Sequence, residues 1–302
     1  MRQTTDHVLM VRPANFAFNE ETAVNNAFQR KLEGTIAENA MAEFDAYVDL
    51  LRRNSLNVDV LRDTPEPKTP DSIFPNNCFS THVEKDGKRV LVLYPMFAQN
   101  RRLERDKLMT FLNPSVYDRV IDMTNHEADG LALEGTGSLV LDRERKIVYA
   151  CLSPRTDKYL LASWAKQMGY EMLTFDSKDY RGTPIYHTNV MMHVGTCFAV
   201  VCLDSVVSPE QRKWLVNTLV ESGKKIVEIT MEQMNHFAGN MLELHNIKGE
   251  KLLVMSQTAK RSLTEEQISL LEQDVRIIAP DIHTIETVGG GSARCMIAEM
   301  FF

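Results

Sequence analysis

The sequence has no apolar run of membrane-spanning length, no dense basic stretch and no Cys-x-x-Cys pair. The first absence argues against a membrane anchor. The opening Met1-Arg2-Gln3-Thr4-Thr5-Asp6 precedes only four apolar residues, too short and too charged for a signal peptide, so a cytoplasmic protein is expected. The second, with 34 Lys plus Arg against 41 Asp plus Glu, argues against nucleic acid as a partner, because nothing could neutralise a phosphate backbone. The third removes the common zinc and thiol-redox motifs. The five cysteines, at 78, 151, 197, 202 and 295, are odd in number, and the first four read as buried reduced thiols. His187 and His193 stand six apart, which suits neither a helical turn nor a common ligand motif, so no metal and no cofactor are expected. Gly135-Thr136-Gly137 lacks the third glycine of a dinucleotide fingerprint and leads into a strand. There is also no Pro, Gly or Ser-rich linker; Asp63 to Pro70 reads as a loop, and residues 1–302 read as one domain.

What is present is a repeat. A short apolar strand, a helix and a second strand recur, with the later members roughly 50 to 55 residues apart. The leading strands are Val8 to Val11, Val90 to Tyr94, Ile147 to Leu152, Phe198 to Leu203 and Leu252 to Met255. Helices are expected over Thr22 to Arg53, Arg101 to Phe111, Asp157 to Met168, Pro209 to Ser222 and Thr264 to Gln273. Ser208 and Thr264 each place a hydroxyl at an N-cap, with acidic or amide side chains in the first turn. The return strands are Leu56 to Leu61, Val116 to Met123, Glu171 to Phe175, Lys225 to Ile229 and Val275 to Ile278.

Four units are preceded by a further segment leading into an apolar strand: Asp71 to Phe79, Leu133 to Val140, His187 to Met192 and Gly239 to Leu244. A fifth copy, Gly289 to Ala298, stands at the C-terminal end, while the first unit lacks one. The expectation is a five-bladed pseudo-symmetric α/β propeller, closed by pairing the strand after Cys295 with Val8 to Val11, which leaves no free sheet edge. In such a ring the five leading segments converge on the axis. They carry a thiol, an imidazole, two carboxylates and several amides. A thiol beside an imidazole is a nucleophile with its general acid and base, and Gly289, Gly290 and Gly291 suit a tight loop that lets a substrate approach.

These residues resemble the guanidino-group modifying, or pentein, superfamily, and the match spans nearly the whole chain. Its carboxylate-glycine motif is similar to Glu134-Gly135-Thr136-Gly137, its histidine motif to His187-Thr188-Asn189 and its nucleophile loop to Gly290-Gly291-Ser292-Ala293-Arg294-Cys295. The resemblance implies a cysteine hydrolase of carbon–nitrogen bonds, in which Cys295 attacks the planar carbon, His187 protonates the departing nitrogen and activates water, and Glu134 anchors substrate and histidine. The adduct would be of thiouronium or thiocarbamate type.

Pro70-Asp71-Ser72-Ile73-Phe74 resembles the substrate loop of dimethylarginine hydrolases, but the Glu-Asp pair that follows there is Asn76-Asn77 here. Asn189 likewise stands where arginine deiminases carry Asp. A buried guanidinium needs anionic partners, whereas a neutral ureido group needs amide-type donors and acceptors. The reading therefore favours a citrulline-like substrate, and the subfamily most resembled is the citrulline-utilisation hydrolases. Glu134 and Asp71 keep two carboxylates, so a guanidinium stays open. Arg155 and Arg101 are candidates to hold a substrate carboxylate, since the arginine fork makes paired hydrogen bonds. An amidinotransferase or arginine deiminase-type activity, and a propeller that only binds a partner, are the alternatives. Homo-oligomerisation is also left open.

Overall fold

The computed structural model describes residues 2–302. Its strands form five sheets of three, each with one antiparallel and one parallel pairing around a central strand. The central strands are His7–Arg12, Arg89–Leu93, Ile147–Cys151, Phe198–Val201 and Lys251–Val254, within a residue or two of the expected positions. Each is apolar through its middle and buried there, as a strand covered on both faces should be. Parallel partners cannot be joined by a tight turn, so each central strand crosses to its partner through one or more helices. The partners are Asn57–Arg62, Arg119–Asp122, Glu171–Phe175, Lys225–Glu228 and Arg276–Ile278.

The first sheet is built from both ends of the chain. Ala298–Glu299 pairs antiparallel with His7–Arg12, in the register Val8 to Glu299 and Leu9 to Ala298. This is the expected closure. Glu299 also accepts from Arg294 Nη2 at 2.8 Å and lies 3.5 Å from Arg143 Nη2, all three side chains being buried.

Three expectations need correction. The long helix expected over Thr22 to Arg53 is two, Glu20–Ala23 and Ile36–Arg53, separated by residues without helix. Only the second has a helical apolar stripe, burying Ala40, Phe44, Tyr47, Val48 and Leu51. The strand expected from Val116 begins at Arg119, because Pro114–Val116 forms a 3-10 turn capped by Asn113. Finally, the leading segments do not run straight into strands. Pro75–Asn77, Gly135–Ser138 and Thr188–Met191 are single helical turns, and Cys295 lies in a turn before its strand begins at Ala298. No helix among the described residues is long and apolar enough to cross a membrane.

Candidate active site

These turns aim their side chains inward, and two glycines make the close packing geometrically permissible. Gly135 has φ +44, and a side chain there would strike the backbone oxygens of Asn76 and Asn77. A Cβ on Gly137 would collide with Asn77 Nδ2 and stand 2.8 Å from His187 Nδ1. The Asn77 amide, the His187 ring and the second glycine of the carboxylate motif therefore meet at one point.

Glu134 and His187 form a buried pair, with His187 Nε2 2.7 Å from Glu134 Oε2. Glu134 Oε1 accepts from the Phe97 backbone N–H at 3.0 Å, and Arg155 Nη1 lies 3.5 Å from Oε2. Burial alone would raise the Glu134 carboxyl, but Arg155 and the His187 hydrogen bond overcome it and hold it well below the usual range. An ionised Glu134 fixes the proton on Nε2, leaving Nδ1 with its lone pair. Burial lowers His187 to about 4, against the opposing pull of Glu134. At neutral pH the ring is therefore an uncharged base.

Cys295 is buried beneath the glycine loop, in the same small cavity as His187. Its Sγ receives Asn240 Nδ2 at 3.3 Å and Asn189 Nδ2 at 3.7 Å. Asn240 also accepts from the Arg294 backbone N–H at 3.1 Å and donates to the Asn189 carbonyl at 3.0 Å, so one amide ties two leading turns to the thiol.

Asp71 accepts from Asn19 Nδ2 and Thr22 Oγ1 through Oδ2, while its buried Oδ1 has no partner among the described residues. Burial raises this carboxyl, with Arg101, Asn19 and Thr22 opposing. Arg101 directs Nε and Nη2 at Glu104, Nη1 at Asn77 Oδ1 at 2.8 Å, and Nη2 also at the Phe74 carbonyl. Its donors are occupied by the walls of the cavity. Arg155 borders the cavity too, stacked over Tyr186 and bonded to Asn25 Oδ1 and the Thr22 carbonyl.

Of the residues expected from sequence, Asp71, Asn77, Arg101, Arg155, His187 and Cys295 border one cavity, with Glu134 behind His187. Asn76 instead bonds Thr136, and Asn189 reaches the thiol from the other side, next to a separate polar chamber. Asn240, Asn19, Thr22 and Tyr186 were not anticipated. Asn240 could have been, since it and Glu243 are the polar residues of the fourth leading segment. Tyr186, next to His187, donates to the Gly290 carbonyl at 2.7 Å. Asn19 and Thr22 belong to the segment 19–30, which covers the cavity: Asn26 Nδ2 bonds the Gly290 carbonyl and the Arg30 N–H bonds the Thr287 carbonyl. The cavity offers about 20 Å³, room for about one water.

The family model described as N,N dimethylarginine dimethylhydrolase, eukaryotic, matches residues 12–302. No curated protein matches. Among solved structures, the N-terminal domain of ArgZ, an arginine dihydrolase from the ornithine-ammonia cycle in cyanobacteria, is 16% identical, with 97% of each chain covered and a TM-score of 0.74. Unliganded AgrE is 18% identical with a TM-score of 0.75, covering 98% of this chain and 39% of that one. A dimethylarginine dimethylaminohydrolase adduct with S-methyl-L-thiocitrulline is 15% identical, with 98% and 100% covered and a TM-score of 0.67. These likenesses establish the five-bladed fold, and the family match covers nearly the whole chain. The chain belongs to the N,N dimethylarginine dimethylhydrolase family, in the pentein superfamily of guanidino-modifying enzymes, and is a hydrolase of carbon–nitrogen bonds other than peptide bonds.

Proposed function

We propose that the substrate is a neutral ureido amino acid of the citrulline type, cleaved through a thiocarbamate on Cys295. The observation that carries this is the orientation of Asn77. Arg101 has only donors, so the amide must turn Oδ1 toward it, and Nδ2 is left as a buried donor without a partner beside His187. A donor at that place suits a carbonyl oxygen and repels a guanidinium N–H. Asp71 Oδ1, the unpartnered acceptor, suits a ureido N–H.

In the proposed reaction the Cys295 sulfur bonds to the ureido carbon, and the bond from that carbon to one nitrogen breaks. The thiol proton passes through His187 Nδ1 to the departing nitrogen. Water, deprotonated by the same ring, then attacks the thiocarbamate carbon and the sulfur leaves as thiol. The net change adds one water, and the carbamate set free in this way breaks down to carbon dioxide and an amine or ammonia. Asn240 and Asn189 donate toward the sulfur and would stabilise it as thiolate. Glu134 holds the ring in the tautomer that the base requires.

The test is release of ammonia and amino acid from citrulline, arginine, agmatine and dimethylarginine by the native protein and by Cys295→Ala. Ornithine from citrulline, abolished by the substitution, is the expected result. Citrulline formed from arginine would overturn the substrate assignment, and Asp71 Oδ1 is the feature that such a cation would use. Turnover surviving in Cys295→Ala would overturn the mechanism.

A further inference from the structure

Phe28 is the one aromatic residue of the covering segment 19–30. Its ring stands outside the cavity that holds Cys295 and is seated on two other rings, with centroids 5.2 Å from Phe237 and 6.1 Å from Tyr186. Both of those rings are buried, and each is joined by a short path to a reacting group. Tyr186 precedes His187, and its ring centroid lies 4.7 Å from that of the imidazole. The Phe237 carbonyl accepts from the Asn240 backbone N–H at 2.8 Å, and Asn240 Nδ2 is the donor 3.3 Å from Cys295 Sγ.

Phe237 is held there in an unfavourable backbone conformation. It follows the helix Met231–Asn235, whose end is closed by two bonds, the Phe237 N–H to the Met234 carbonyl and the Ala238 N–H to the Gln233 carbonyl. A helix ending of this kind turns through the left-handed region, where glycine is the usual residue. Phe237 has φ +63, and of the three non-glycine residues with positive φ among the described residues, Ser55, Lys146 and Phe237, only Phe237 is buried. Glycine would relieve the backbone there and would also remove the ring on which Phe28 rests. Such strain is kept where the surrounding structure makes use of it.

We propose that Phe28 is a positioning residue: seated on Phe237 and Tyr186, it couples closure of segment 19–30 to the placement of Asn240 and His187, so that thiol and base are set when the cavity is covered. The inference rests on the roles given above to Cys295 and His187, and not on the identity of the substrate. The coupling runs both ways. The ring contact that steadies the Asn240 turn also holds the segment down.

The experiment is deuterium exchange on the full chain, comparing the native protein with Phe28→Ala, Phe28→Tyr and Phe237→Ala, beside steady-state turnover of whichever ureido or guanidino compound the native protein cleaves. An aromatic contact corresponds to about 2- to 10-fold in an opening equilibrium. Phe28→Ala should raise exchange by that factor in segment 19–30 and also in the peptides carrying Asn240 and Arg294, whose backbone N–H bonds Asn240 Oδ1 at 3.1 Å. Phe237→Ala should raise exchange in segment 19–30 in turn, whereas Phe28→Tyr, which keeps the ring, should stay near native. In turnover, Phe28→Ala should lower kcat by a similar factor. Phe28 is only partly buried, so its variants keep the test decisive if Phe237→Ala fails to fold. Faster exchange confined to segment 19–30, or a loss confined to KM, would reduce Phe28 to a cover and overturn the proposal. Turnover surviving in Cys295→Ala would count against the mechanism above, and the exchange result would then decide the coupling by itself.

Discussion

At the scale of single residues, the site depends on which groups are kept neutral. Burial lowers His187 to about 4, so its Nδ1 lone pair is available down to that pH and lost to protonation below it. The acid limb of kcat/KM should therefore fall near pH 4 and not near the ordinary histidine value of about 6.5. Glu134 raises His187, so Glu134→Gln should move that limb to still lower pH while reducing kcat by about 10²- to 10⁴-fold, as loss of an oriented base does. A pH–rate series on both proteins checks the sign; a limb that moves upward contradicts the assignment. Gly137→Ala should leave the fold intact yet cut kcat/KM, because its methyl would displace Asn77 and His187. Circular dichroism beside kinetics separates the two effects. Asn77→Asp would put an acceptor where the amide now donates, and should shift preference from ureido toward guanidino substrates by about tenfold or more in a competition assay.

At the scale of elements, the sequence was most readable where burial is apolar and periodic. The central strands stand out as apolar runs, and the Ser208 and Thr264 caps occur where hydroxyls precede acidic or amide residues. Thr264 forms a full capping box with Gln267, so Thr264→Ala should cost about 1 kcal/mol in urea unfolding and leave turnover unchanged. Reading failed where polar contacts decide the structure. Segment 19–30 is held by Asn19, Thr22, Asn25 and Asn26 against Asp71, Arg155 and Gly290, and unlike the helix at Ile36–Arg53 it carries no apolar stripe. The four-residue turns at Gly135–Ser138 and Thr188–Met191 are too short to show a period. Cys295, His187 and Glu134 could be named because their chemistry is distinctive. Asn240 stands in a leading segment as His187 and Glu134 do, but its bond to the thiol 3.3 Å away comes only with the fold. Segment 19–30 covers a cavity with room for about one water, and its opening for each substrate is expected. Its amide protons should exchange with deuterium faster than those of the neighbouring strands, and a substrate complex of Cys295→Ala should slow them.

At the scale of the whole molecule, closure and site share their parts. Glu299 lies in the closing strand and serves two buried arginines, Arg294 beside the nucleophile and Arg143. Glu299→Gln would leave both without their anion and should destabilise the fold by about 3–5 kcal/mol, the usual cost of breaking a buried pair. A urea midpoint unchanged from native would contradict this. The pairing of Ala298–Glu299 with His7–Arg12 also imposes an order in time. During synthesis on the ribosome the strand at residues 7–12 must wait for its neighbour at Ala298–Glu299 until the four other blades have been made. Cys295 is translated only three residues before that neighbour, so the reactive thiol does not exist while four blades are forming around the place it will occupy. A nascent chain stopped anywhere short of the last blade is therefore both chemically inert and open along one sheet edge, the state in which a folding intermediate most needs a chaperone.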